Sequence, residues 1–451
     1  MTDAVTAVQP PAGARVTPPP PPSPQAARSS LAGNFAWMLS GQMARSAVQG
    51  GCFVLVARAL GVQGYGAFLG VMALMAILSP YVGWGAGYLL IQHASRDRAA
   101  FREWWGYAVQ MTVLSGVGLM AAAAAVSYVV LPRSVPLALV LLVAAAELVC
   151  QRLVDMGAQA FQAFHRLGRT AQLQVAPNLL RLFAAGAMLL AAPGSPMVWG
   201  VLYFASTVAA AAVSVVLVSA ELGRPLFRRP FRVRQPRNGF YFAVTLSAQG
   251  IYNDIDKTML VRLAGLAAAG VYGAAYRLVD VSFVPVKSLL YAAFARFFEH
   301  GKNGIGGTVA FARRLLPMAV AYAGLAGVAL YLCAPLLPLV LGSDFAGVVP
   351  VVRWLAALPL LRALHYFAAD ALTGADRQGL RSGVQAVVGA ANVGLNLLLI
   401  PQYSWRGAAV ASLLSDGLLV AGMWASVWYV ARVQPRGRAA PGGGGPAGGR
   451  A

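Results

Sequence analysis

About a dozen long apolar runs joined by short connections leave this chain few ways to fold. They fall near 34–60, 66–92, 105–130, 137–163, 171–192 and 197–219, then near 239–262, 270–295, 315–333, 345–372, 380–400 and 405–431. Each approaches or exceeds the roughly 20 residues a helix needs to cross a bilayer. The runs are apolar all round rather than striped, as helices facing lipid and one another must be. With 59% hydrophobic and 11% charged residues, the chain lies outside the range of soluble domains. The fold class that follows is an all-α integral membrane protein of about 12 transmembrane helices.

A net charge of +21 would ordinarily raise the question of nucleic acid. Here the cations sit in loops between apolar runs, which is the positive-inside pattern of a membrane protein. No nucleic-acid partner is expected. Counted on alternate sides of the twelve runs, 23 Lys and Arg fall on one side and only Arg133, Arg262 and Arg406 on the other. Both termini are therefore expected in the cytoplasm. The high Ala, Gly and Arg content points to a bacterial source, so the membrane is expected to be the bacterial cytoplasmic (inner) one, crossed many times.

The longest polar connection, ELGRPLFRRPFRVRQPRNG at 221–239, divides the runs into two sets of six. The expected organisation is a Pro-rich disordered tail (1–33), a six-helix bundle (34–219), a basic cytoplasmic loop (220–238), a second six-helix bundle (239–431) and a Gly-rich disordered tail (432–451). No cleavable signal peptide is evident, because the first thirty residues lack an apolar core. The halves echo each other. Val56-Ala57-Arg58-Ala59-Leu60-Gly61 with Gly64-Tyr65-Gly66-Ala67 is matched by Val261-Arg262-Leu263-Ala264-Gly265 with Gly270-Val271-Tyr272-Gly273-Ala274. Since both halves start on the same side, the two bundles are expected to form a parallel repeat about the membrane normal.

Nine cations lie within or at the ends of runs: Arg45, Arg58, Arg152, Arg181, Lys257, Arg277, Lys287, Arg353 and Arg362. The acids there are Glu147, Asp155, Asp254, Asp256, Asp280, Asp370 and Asp416. A charge at the bilayer centre costs at least ~2.5–3.5 kcal/mol, so each needs a partner or a watery cavity. Arg152 with Asp155, Asp254 with Lys257, and Arg277 with Asp280 stand three apart, hence as neighbours on one helix face. Arg58 and Arg353 lie near an interface, where long side chains snorkel. Arg45, Arg181, Lys287 and Arg362 have no acid three or four positions away. They either pair across helices, with Glu147 or Asp416, or line a cationic central cavity.

Arg277, Asp280 and Lys287 share an arc of roughly 80° on one helix, so that helix is expected to line the cavity. Arginine's planar fork suits phosphate, which points to an anionic substrate. The candidate substrate-binding residues are Arg45, Arg181, Lys257, Arg277, Lys287 and Arg362; Glu147, Asp280 and Asp416 are the candidates for ion coupling. Tyr252, Tyr272 and Tyr276 are placed to stack on sugars or simply to pack.

Cys52, Cys150 and Cys333 fall in apolar runs without metal-ligand spacing, and the four histidines are scattered. No metal and no cofactor is expected. No P-loop, paired-carboxylate or nucleophile arrangement is present, so no enzyme is read here.

Three segments also carry a resemblance. Asn34 followed by Ala57-Arg58-Ala59-Leu60-Gly61 and Gly64-Tyr65-Gly66-Ala67-Phe68 opens the first. Asn253-Asp254-Ile255-Asp256-Lys257-Thr258-Met259-Leu260 leads to Gly270-Val271-Tyr272-Gly273-Ala274-Ala275-Tyr276-Arg277 in the second. The third runs from Leu372-Thr373-Gly374-Ala375-Asp376-Arg377 through Asn392, Asn396 and Ile400-Pro401 to Trp405-Arg406-Gly407-Ala408-Ala409-Val410-Ala411. Together they resemble the polysaccharide transporter family of the multidrug/oligosaccharidyl-lipid/polysaccharide exporter superfamily. One departure is Ser404-Trp405-Arg406, where that family's pattern places a small turn residue.

The resemblance implies a flippase: two bundles that rock about a central cavity, carrying oligosaccharide on polyprenyl pyrophosphate from inner to outer leaflet for surface polysaccharide, lipopolysaccharide or exopolysaccharide assembly. The implied partners are lipid-linked oligosaccharide, membrane lipids and other polysaccharide-assembly proteins. The alternative within the superfamily is a drug/cation antiporter, which needs an acidic cavity. A membrane glycosyltransferase would require charged outer loops that this chain lacks. A non-transporting scaffold has only the tails and the basic loop in its favour.

Overall fold

The computed structural model describes residues 24–164, 166–191, 194–227 and 255–433, with backbone alone over 24–44. Its described elements are helical throughout. Helix α1 (Pro24–Leu78) contains a reversal at Gly61, whose φ of 65° and ψ of 179° end one helix and begin the next. The Phe53 and Tyr65 rings consequently lie 5.4 Å apart, where an unbroken helix would hold them about 18 Å apart. The chain then runs through α2 (Ala86–Arg96), α3 (Phe101–Val130), α4 (Leu137–Ala144), α5 (Gln151–Ala163), α6 (Leu167–Ala191) and α7 (Pro196–Glu221). After the undescribed connection come α8 (255–263), α9 (Leu266–Ser282), α10 (Val284–Gly301), α11 (Gly304–Cys333), α12 (Leu337–Leu341), α13 (Val348–Leu355), α14 (Leu358–Gly374), α15 (Gln378–Tyr403) and α16 (Trp405–Val433).

Nine described helical stretches are long and apolar enough to cross a membrane. The first, Arg45–Ser95, contains the reversal and makes two passes. α8 lies at the end of the seventh predicted run and the α9–α10 pair along the eighth, the order expected of a twelve-helix fold. Large apolar side chains such as Phe183, Leu190, Leu325 and Val387 stand largely exposed on the outer surface, as a bilayer requires and water would penalise.

Helices up to α7 pack on one another, as do those from α9 on, and the halves meet chiefly where α1 lies against α9 and α10. The repeat seen in sequence has a geometric counterpart. Gly61 and Gly265 (φ 90°, ψ 171°) adopt the same left-handed conformation, and each starts the helix that follows. Five residues further on, the two halves touch reciprocally. A Cβ on Gly66 would fall on the carbonyl oxygen of Leu266, and one on Gly270 on that of Val62. The bundles are thus in backbone contact at one end, a closeness only glycine permits.

Several boundaries differ from expectation. α1 begins at Pro24, inside the stretch assigned to the tail; Pro is favoured in a first helical turn and the Ala-rich residues after it propagate a helix. The second pass is broken by a 3₁₀ segment (Ser79–Gly85) where Pro80, Gly83 and Gly85 cluster, and the amide freed at Gly83 donates to Ser115 Oγ (2.8 Å). The fourth contains a π turn (Ala145–Cys150). α11 starts eleven residues before the predicted 315, so Arg313 and Arg314, counted as loop cations, are helical. Ser404 takes φ 54° between α15 and α16, filling the turn position that the resemblance reserves for a small residue. Residues 1–23, most of the basic loop and 434–451 lie outside the described residues.

Candidate functional site

Between the halves lie two adjoining chambers of about 390 and 260 Å³ that share Gln49, Arg277 and Asp280 as a wall. The larger lies under the glycine contact. Its wall includes Phe53, Tyr65, Phe68, Trp199 and Tyr203 together with Arg181 and Lys257. The smaller lies further from that end and is lined by Arg45, Lys287 and Tyr291. Arg45 stands sixteen residues before Gly61, about 24 Å along α1. Among the described residues, therefore, five cations line the two chambers against the single carboxylate of Asp280.

Local structure explains how each charge is held. α9 carries Arg277 and Asp280 on one face and hands the chain to α10 at Phe283, so Lys287 continues the same wall. The expected Arg277–Asp280 pairing is not made. Arg277 instead donates to Gln49 Oε1 across the bundle boundary (3.1 Å), and Asp280 turns to Arg362 (2.8 Å). The buried guanidinium of Arg362 competes better than a neighbour that can reach the chamber. Arg45 and Lys287 have no ion-pair partner among the described residues. Lys257 is buried, with its ammonium 4.4 Å from the centre of the Tyr276 ring.

Arg181 and Arg362 each pair across helices. Arg181 lines the larger chamber and donates to Glu147 (3.1 Å), Gln151 (3.0 Å) and Thr207 (3.2 Å), while stacking on Tyr203. Glu147 also accepts from the Tyr203 hydroxyl (2.5 Å). It stands behind Arg181 on the π turn, a distortion that recurs at functional sites. Arg362 is a correction to the cavity set, since it does not line either chamber. It is held inside the second bundle by Asp280, the Tyr276 hydroxyl (2.5 Å) and Asp416 (3.7 Å), with His365 on the far side of Asp416 (3.5 Å). Cross-helix partners neutralise both arginines, as burial in a low-dielectric interior demands.

Of the remaining readings, Arg152 and Asp155 do pair on one face (3.2 Å), whereas Asp254 and Tyr252 lie outside the described residues. Tyr272 is fully buried and its hydroxyl meets Asp256 (2.7 Å) and Ser412 (2.9 Å), which makes it a packing residue. Arg353 stacks on Tyr331, and Arg58 reaches across to the second half. Asn392 and Asn396 of the third motif join one another and Ser415, tying α15 to α16. Counting charges overlooked the uncharged wall. Gln49, Asn178 (3.2 Å from Gln49) and the aromatic cluster were signalled only as polar or bulky residues inside apolar runs.

Apolar helices packed in two halves around a central cavity form a membrane-protein fold that is also seen in solved MATE family structures. An inward-facing multidrug resistance MATE family transporter of the MOP superfamily superposes with a TM-score of 0.69 at 12% identity, over 87% of this chain and 96% of the other. Its outward-facing counterpart gives 0.59 at 12% identity, covering 89% and 97%. A superfamily transporter from Pyrococcus furiosus gives 0.60 at 11% identity, covering 88% and 96%. Within this fold the chain belongs to the polysaccharide biosynthesis protein family, whose pattern it matches over residues 31–299. No curated protein matches it in sequence.

Proposed function

We propose that this protein moves oligosaccharide carried on a polyprenyl pyrophosphate from the inner to the outer leaflet of the bacterial cytoplasmic membrane, for surface, lipopolysaccharide or exopolysaccharide assembly. The observation that carries the reading is the charge of the chambers, five cations against one acid. A pyrophosphate is the anion such a wall recognises, with Arg277, Lys287 and Arg45 within reach of its oxygens and arginine able to donate two bonds at once. The aromatic wall of Phe53, Phe68, Trp199 and Tyr203 offers apolar faces to sugar rings. The lipid tail stays in the bilayer while the polar part crosses.

Both termini are assigned to the cytoplasm, which makes the glycine-sealed end the outer one and the chambers cytoplasm-facing. Rocking of the bundles alternates access. Asp280, on the wall of both chambers, is assigned with Glu147 and Asp416 to ion coupling. A drug/cation antiporter would require the opposite cavity sign.

The test is thermal stabilisation of the detergent-solubilised protein by polyprenyl pyrophosphate, compared with polyprenol of equal length. The pyrophosphate should stabilise, the alcohol should not, and Arg277→Ala or Lys287→Ala should weaken the effect. Equal stabilisation by both lipids would remove the anionic head group from the account.

A further inference from the structure

We propose that Arg58 is the catch of a gate at the glycine-sealed end of the cavity. The residue stands in the last turn before the reversal at Gly61 and reaches into the other half of the protein. Its Nε donates to the carbonyl of Val340 (2.6 Å) and its Nη2 to that of Leu339 (2.5 Å). Both acceptors belong to α12, in the connection between α11 and α13. The last carbonyls of a helix have no partner within it and carry its partial negative charge, so a guanidinium suits them.

The rest of the seal is shape. Gly66 and Gly270 rest on each other's helices, and Tyr65 meets Phe345 edge-on at 6.2 Å. Packing of this kind holds surfaces together without direction, whereas the Arg58 fork fixes α1 to one place on α12. Directly beneath lie Val56 and Tyr65, which line the larger chamber. Cargo cannot leave by this end unless α1 parts from α12.

The repeat supplies an internal control. Arg262 precedes Gly265 as Arg58 precedes Gly61, with the same interval and the same glycine conformation. It is exposed and makes no hydrogen bond or ion pair among the described residues. An arginine at this place in the fold therefore does not bind the opposite half simply by being there. The fork lies at the protein's surface rather than in its core, so it is free to break and re-form. Losing two charge-assisted bonds at a surface shifts the closed-to-open ratio by about tenfold. The inference rests on alternating access and not on the identity of the cargo.

Cys52 reports on the gate because it lines the larger chamber below the seal. With Cys150→Ser and Cys333→Ser in the full-length protein, a membrane-impermeant maleimide is applied from the Arg58 face of sealed proteoliposomes. Cys52 should be nearly unreactive in this parent and label about tenfold faster when Arg58→Ala is added. Arg58→Gln, which keeps a donor but loses the fork, should give a smaller rise, and Arg262→Ala none. Parental labelling in an Arg58→Ala protein that elutes and melts like the parent overturns the proposal. An equal rise with Arg262→Ala overturns it too, since the effect would then belong to interfacial charge. Either result leaves the pyrophosphate-binding test untouched.

Discussion

Replacing Glu147 by Gln removes the counter-ion of Arg181 while keeping the side chain's size. Both side chains are mostly buried, with 16% and 14% of their surfaces exposed, and they meet at 3.1 Å. The guanidinium cannot shed its proton, so the variant strands a charge among Gln151, Thr207 and the Tyr203 ring. Breaking a buried pair by removing one partner costs about 3–5 kcal/mol. For a cooperative bundle of about 200 residues this lowers the melting temperature by roughly 6–20 °C.

Adding Arg181→Met removes the stranded charge. The double variant should return to within about 1–2 kcal/mol of the parent, because a well-packed apolar replacement of a buried pair is often close to neutral. The assay is a thermal melt of the two single variants and the double variant in one detergent. A Glu147→Gln protein within about 1 kcal/mol of the parent, or a double variant no better than the worse single one, would refute the pairing argument. The double variant should still fail in transport, since it lacks a cation of the chamber wall.

Two further outcomes follow from the geometry. Arg381 holds buried Asp370 at 3.3 Å and Thr373 at 2.8 Å, so Arg381→Ala should lower stability by about 3–5 kcal/mol in the same melt, with Arg381→Lys recovering part of it. Cys333 is exposed at the end of α11, at the same end as Arg58. An impermeant maleimide should label it on intact spheroplasts, whereas a tag at the C-terminus should be cleaved by added protease only after lysis.

The fold was legible because its signal is physical and repeated. A helix in lipid must satisfy its own backbone, so each pass announces itself as an apolar run, and the glycines of the echoed segments mark the place where the halves touch. Breaks inside passes were harder to read. The 3₁₀ interruption carries Pro80 and three nearby glycines, but the π turn at Glu147 has no composition of its own.

The candidate site was legible in kind and incomplete in detail. Charges in lipid are costly, which singles out Arg45, Arg181, Lys257, Arg277, Lys287 and Arg362 from sequence. Which of them face the cavity depends on partners tens to hundreds of residues away. Arg362 was misplaced because Asp280 and Asp416 come to it from other helices. Arg58 was read as snorkelling because carbonyl acceptors leave no trace in sequence. Gln49, which links Asn178 to Arg277 across the two halves, carries no charge to draw attention.

The most direct test of the central claim is transbilayer movement of a fluorescent polyprenyl-pyrophosphate oligosaccharide in proteoliposomes, read by quenching from outside. The parent protein should bring the inner-leaflet pool into reach of the quencher, and Arg277→Ala and Lys287→Ala should slow this by at least about tenfold, as loss of a charge-assisted bond to the cargo implies. No movement across several anionic lipid-linked glycans, or equal rates in parent and variants, would contradict a cationic cavity that carries lipid-linked sugar.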